Sequence, residues 1–217
     1  MKHENEKVAL QAVEFWSTVC DEEIEIQAEN DDYIEGDAEP PRRSHQFALK
    51  AVGELVPVLL WLLTKREEDD DEDEWNLPMA AATCLNLLAN CVGDLIVPPV
   101  IPFVEQNIQS PDWKLREAAV MVFGSILEGP KADILQPLVQ QALPILLELM
   151  RDPVLSVKDT AAWTLGRISD LLVQAFQPEG NLQAIITAVL NGLSDSPRVA
   201  ANCCWVCVFD VDFTNTH

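Results

Sequence analysis

From Trp113 to Gly129 the apolar residues Leu115, Ala118, Ala119, Val122, Phe123, Ile126 and Leu127 recur at helical spacing and form one stripe. About 42 residues further on the stripe returns as Val157, Thr160, Ala161, Thr164, Leu165 and Ile168. After another such interval Val199, Cys203, Val206 and Cys207 fall in the same columns. Phe123-Gly124 and Leu165-Gly166 keep their place in this register. A helix-breaking segment precedes each stripe: Ser110-Pro111-Asp112, Asp152-Pro153 and Ser196-Pro197. Proline is tolerated in a first helical turn, and Ser or Asp caps one well. Ahead of each breaker lies another apolar helix, Pro98 to Gln109, Pro137 to Met150 and Leu182 to Leu193, and Pro102 and Pro144 recur at the repeat interval inside two of them.

The amino-terminal part fits the pattern more loosely. Val8 to Cys20 and Met79 to Cys91 read as second helices and Phe47 to Thr64 as a first helix, with insertions at about 29–44 and at an acidic run. No segment alternates convincingly with a strand period. A period near 42 with two helices per unit is the signature of HEAT or armadillo arrays, which stack into a superhelix with a long concave surface. The expected fold is therefore all-α, a HEAT-repeat α-solenoid of about five antiparallel helix pairs in one array over 1–217, incomplete at both ends. The repeats fall at 1–28 (partial), 45–92 with an acidic loop at 66–75, 94–129, 131–174 and 180–210 (partial).

Charge changes the picture most at that loop. Glu67, Glu68, Asp69, Asp70, Asp71, Glu72, Asp73 and Glu74 form an unbroken acidic run closed by Trp75. Like charges at that density repel one another, so the run reads as a solvated loop between packed helices. Most such runs only confer solubility, but tryptophan is the aromatic that best attracts Lys and Arg. The chain as a whole carries 36 acidic against 14 basic residues, a formal net charge of -22. That balance opposes nucleic acid and anionic membranes and favours partners rich in Lys and Arg. No apolar stretch reaches the roughly 18 residues that span a bilayer without charge or proline, and no targeting peptide is visible at the start.

The repeat register assigns faces. Trp163 lies well off the centre of its helix's apolar stripe, and Asp159 shares its outward side. Trp205 occupies the same column one repeat later and Glu14 occupies it in the first helix, while Glu117 matches the column of Asp159. Packing against a neighbouring repeat would also suit a tryptophan, but a charged residue in the column favours a groove. An exposed aromatic beside carboxylates can take an Arg or Lys by stacking while an acid takes the charge, contributing about 0.5 to 2 kcal/mol per contact. Trp61, in a wholly apolar stretch, reads as core, and Trp113 as an anchor of the inter-helix turn.

Phe15-Trp16 followed by Cys20-Asp21-Glu22-Glu23, the acidic run closed by Trp75-Asn76, and Ser110-Pro111-Asp112-Trp113 together resemble the importin-beta (karyopherin-beta) family. So do Phe123-Gly124-Ser125-Ile126-Leu127-Glu128-Gly129-Pro130 and Asp159-Thr160-Ala161-Ala162-Trp163-Thr164-Leu165-Gly166-Arg167. The resemblance covers about residues 5 to 207 and points to an internal stretch of a nuclear import receptor. It implies that Glu67 to Glu74 face the GTPase Ran in its GTP form. It also implies that Trp75, Trp163 and Trp205 stack on the basic importin-beta-binding arm of importin-alpha, with Glu14, Asp21, Glu117 and Asp159 as acidic partners. Basic cargo, Phe-Gly nucleoporins, and residence in cytoplasm, nucleus and nuclear envelope complete the expectation. Both ends of the chain depart from the family pattern, so apolar end faces and weakened binding of Ran-GTP are expected.

Two other readings compete. A HEAT scaffold could assemble an enzyme complex, its acidic loop merely solubilising. An enzyme is disfavoured because there is no phosphate-cradling glycine loop among eight glycines and no cysteine–histidine or serine–histidine set in register. Neither a cofactor nor a metal site is expected. Cys203, Cys204 and Cys207 include a C-x-x-C without a second pair, and the acidic run lacks the spacing and glycine of a calcium loop. All six cysteines sit among apolar residues, as reduced thiols in a core do.

Overall fold

A computed structural model describes residues 1–33, 42–66, 75–172, 174 and 179–213. The acidic run Glu67 to Glu74 lies outside them. The described residues form helices α1 (Glu6–Asp32), α2 (Phe47–Leu63), α3 (Leu77–Val92), α4 (Val97–Asn107) and α5 (Trp113–Ser125). Helices α6 (Ala132–Leu149), α7 (Leu155–Leu171), α8 (Glu179–Gly192) and α9 (Pro197–Phe213) follow, and no strand occurs among the described residues. The all-α solenoid expected from the period is the architecture observed.

Helices α2, α4, α6 and α8 pack on α3, α5, α7 and α9 respectively. The second helices also pack on one another in order, α1 on α3, α3 on α5, α5 on α7 and α7 on α9, making a continuous inner row. The core runs along this double layer through Val13, Leu59, Leu62, Leu85, Phe123, Leu146, Leu165 and Ile168, all essentially without solvent contact. Such stacking buries a continuous apolar seam that no helix pair could bury alone.

Local chemistry sets the boundaries. Asn5, Asn76 and Asp112 cap α1, α3 and α5, each accepting from a backbone N–H in the first turn. Helix α2 is capped from a distance: the Glu23 carboxylate on α1 accepts from the backbone N–H groups of Phe47 and Ala48 at 2.8 and 3.0 Å. A carboxylate at a helix amino terminus also meets the positive end of its dipole. Arg42 holds the incoming chain by pairing with Glu22 and Glu29 at 3.1 and 2.6 Å.

The amino-terminal helix outruns its expected length, continuing past Cys20 to Asp32 through a charged stretch in which Glu22, Glu23, Glu25, Gln27, Ala28 and Glu29 are good helix formers. Helix α5 ends earlier than expected, at Ser125, and α6 starts at Ala132 with Pro137 and Pro144 inside it. Leu77 to Asn107 has the length and apolarity of a membrane span. Gly93, at φ 56, breaks it into α3 and α4 through a short 3-10 turn.

Trp61 departs from expectation. It is 40% exposed, with the ammonium groups of Lys2 and Lys65 over its ring at 5.2 and 4.4 Å. Helix α2 turns Leu55, Leu59, Leu62 and Leu63 inward, and an all-apolar segment carries no periodicity to say which side is outside. Trp113 is half-buried against the core at the start of α5.

Candidate groove on the inner helix row

Neighbouring inner helices are joined by interactions that repeat. Arg116 at the start of α5 pairs with Asp152 ahead of α7 at 2.9 Å, and Lys158 in the same place on α7 pairs with Asp195 ahead of α9 at 2.5 Å. The Lys158 ammonium, with the Ser196 backbone N–H, holds the Asp195 carboxyl below its ordinary range. A second repeating contact pairs glycine with tryptophan. A Cβ on Gly124 of α5 would overlap the Trp163 ring of α7, and a Cβ on Gly166 of α7 would overlap the Trp205 ring of α9. Those glycines permit the indoles to seat between repeats.

The third repeating contact involves the acidic column. Glu117 accepts from Thr160 Oγ1 on the next inner helix at 3.0 Å. Asp159 accepts from Asn202 Nδ2 on the helix after that at 2.9 Å. Each acid also has an arginine: Arg66 Nη1 lies 2.9 Å from Glu117, and Arg198 Nη2 lies 3.2 Å from Asp159. Glu117 is 2% exposed, and burial pushes its carboxyl above the usual range despite the opposing pull of Arg66. Its place is therefore within the helix row, not on an open surface as its column suggested. The helical wheel knows only its own helix, whereas α5 is flanked by α3 on one side and α7 on the other.

A cavity of about 540 Å³ opens along α3, α5, α7 and α9. Trp75, Trp163 and Asp159 line it together, with Met79 and Met121 adding apolar surface. Trp75 is 49% exposed and Trp163 is half-buried. Three arginines also line the cavity: Arg66, Arg167 and Arg198. The Arg167 guanidinium lies 5.5 Å from the centre of the Trp163 ring and also pairs with Glu128 at 3.2 Å. Thus the Trp163 face, Asp159 and Glu117 each already hold an arginine of this chain. Sequence reading missed these arginines. Arg66 stands directly before the acidic run and Arg198 directly after Pro197, but neither position has a periodic signal.

The remaining expected site residues are spread out. Trp205 is half-buried against Gly166 and does not line the cavity. Glu14 is half-buried on α1, accepting from Gln11 Nε2, and Asp21 is exposed on the same helix. The groove thus brings together Trp75, Trp163 and Asp159, and places Glu117 behind them. Among the described residues no His, Cys, Asp and Glu cluster could hold a metal ion, and the Cys207 side chain lies outside them.

A HEAT-like repeat family profile matches residues 113–168. Importin subunit beta-1 of Schizosaccharomyces pombe is 58% identical over 205 residues, covering 94% of this chain and 24% of that protein. A solved Kap95:Nup1 complex contains a chain similar to this one at 46% identity and a TM-score of 0.91, covering 98% of this chain and 24% of that one. A structure of Kap95p bound to RanGDP matches at 46% identity and a TM-score of 0.89, over the same shares. The chain spans about a quarter of the length of the relatives it matches.

Stacked helix pairs, an uninterrupted inner row and a groove formed across successive repeats define a HEAT-repeat α-solenoid. Within that class the chain belongs to the importin-beta family, and it matches an internal HEAT-repeat stretch.

Proposed function

We propose that this chain serves as the ligand-holding segment of a nuclear import receptor and that its groove takes a basic helix, such as the importin-beta-binding arm of importin-alpha or a basic cargo signal. The observation that carries this reading is the shared cavity of Trp75, Trp163 and Asp159. An arginine or lysine entering it stacks on indole while its charge meets carboxylate, the combination that favours a desolvated cation. Trp205, with Glu14 and Asp21 on α1, extends the same inner row and supplies further contacts for a long ligand, while Glu117 holds Arg66 from behind it. The chain's arginines already in the groove are exchanged for the ligand's, so affinity reflects the difference between two sets of charge pairs.

The acidic run Glu67 to Glu74 adds long-range attraction for basic partners and is the surface offered to Ran-GTP. Kap95 relatives solved with Nup1 and with RanGDP support nucleoporins and Ran as partners of the larger receptor. Residence on both sides of the nuclear envelope follows from the same role. The importin and transportin names of its relatives favour transport over a scaffold for an enzyme complex.

A peptide from importin-alpha's basic arm tests this by titration calorimetry. Binding should weaken steeply between 50 and 200 mM salt, as screening shortens to about 10 Å near 0.1 M. Trp75→Ala with Trp163→Ala should abolish it, and binding that survives the double variant overturns the groove assignment. Deleting 67–74 should slow association, and an unchanged rate would return that run to a solubilising role.

A further inference from the structure

The junction of α1 and α3 carries chemistry that the groove does not use. Cys20 on α1 has no solvent contact, whereas Cys91 near the end of α3 is half-buried. The Cys91 Sγ lies 3.2 Å from the Cys20 backbone oxygen, to which it donates, where α1 packs on α3. Cys91 also lines a surface cavity of about 520 Å³ with Glu23, Arg43 and Gln46, a cavity Cys20 does not reach. One thiol is thus open to a small oxidant and the second waits directly behind it. A reactive thiol next to a resolving one is the arrangement that turns oxidation into a reversible crosslink instead of an irreversible acid.

We propose that Cys20 and Cys91 are a site of oxidative modification, closing an intramolecular disulfide between α1 and α3 with hydrogen peroxide as oxidant. In the first step the Cys91 sulfur attacks the peroxide, the O–O bond breaks, and Cys91 becomes a sulfenic acid as water leaves with the thiol proton. In the second the Cys20 sulfur attacks the Cys91 sulfur, the S–O bond breaks, and the hydroxide takes the Cys20 proton away as a second water. Two thiols are oxidised by two electrons in total and one peroxide is reduced to two waters. A thiol such as glutathione reverses the bond by exchange.

The surroundings assign the roles. The neighbouring Cys20 side chain holds the Cys91 thiol below its ordinary range, against burial and the nearby Glu23 and Asp21 carboxylates. The same contact and burial push Cys20 up, which suits a thiol that attacks second. Cys84 also lies on α3, but it is fully buried, burial pushes its thiol up to about 11, and it does not line the cavity that Cys91 faces, so it stays a spectator. The bond would tie together residues 71 apart in the chain, enclosing α2 and fixing how α1 sits on α3.

The test uses the full chain treated with hydrogen peroxide, quenched with catalase and iodoacetamide, and mapped by mass spectrometry without reduction. The expected result is a Cys20–Cys91 linked peptide lacking two hydrogens, lost on reduction and unchanged by Cys84→Ser. Cys20→Ser should leave a Cys91 sulfenic acid that dimedone traps, and Cys91→Ser should leave Cys20 reduced. Because the wild-type map needs no variant to fold, it decides alone. Cys91 still fully alkylated after peroxide, Cys91 oxidised without linkage to Cys20, or equal linkage through Cys84 would each overturn the assignment.

Discussion

The Trp163 indole on α7 packs onto Gly124 on α5, at a point where any side chain on residue 124 would overlap the ring. Trp205 and Gly166 repeat the relation one unit later. The tryptophan column therefore has two tasks, closing the joint between inner helices and presenting what remains of the ring to the groove. Groove shape and solenoid stability are coupled through these residues.

Gly124→Ala should cost about 1–3 kcal/mol, because a methyl group forced into a packed joint displaces its neighbours. The melting temperature should fall and Trp163 emission should shift to the red. Combining it with Trp163→Ala should cost less than the sum of the two single changes, as residues in direct contact do not act independently. Additive losses would show that the ring and residue 124 do not meet.

Removing the internal competitor should strengthen ligand binding. Arg198→Gln leaves Asp159 its hydrogen bond from Asn202 but takes away the guanidinium at 3.2 Å. A basic peptide should then bind several-fold more tightly, since each tenfold corresponds to about 1.4 kcal/mol. Asp159→Asn should weaken binding in the same assay. Calorimetry reads both, and an Arg198→Gln variant that binds less tightly would make this arginine a ligand contact instead.

Arg66 and Glu117 form a pair with side chains 12% and 3% exposed. Truncating one partner strands the other charge, so Arg66→Ala should destabilise the fold by about 3 kcal/mol. Because the Glu117 pKa is raised in the folded chain, its protonated form favours folding. That contribution is present below the ordinary value of 4.5 and is lost as pH rises through the folded value. Removing Arg66 should raise the folded value further and make the loss larger. Denaturation curves from pH 4 to 8 would follow it.

The Lys158–Asp195 pair should show the opposite sign. Asp195 is lowered, so the stability it brings is present above its ordinary value of 3.8 and lost as pH falls through the folded value. Its carboxyl resonance should titrate below 3.8, and Lys158→Ala should move that midpoint up. An unmoved midpoint would mean that the Ser196 backbone N–H alone sets it.

By itself the sequence determined the periodic part of this protein. A repeat near 42 residues, the apolar stripes of α5, α7 and α9 and the breakers at Pro111, Pro153 and Pro197 announce stacked helix pairs, because helical periodicity is local and survives in one dimension. The motifs that end in Trp75-Asn76, run from Phe123 to Pro130 and surround Trp163 announced the family as well. Only the tertiary structure decided which polar residues face one another. Glu117 looked outward from its own helix, yet α3 and α7 enclose α5 from both sides and Arg66 reaches in from beyond α2. The arginines that occupy the groove carry no periodic signal of their own, and the Cys20–Cys91 contact joins helices separated by a third. Contacts of that kind depend on how neighbouring repeats close on one another, which no single helix encodes.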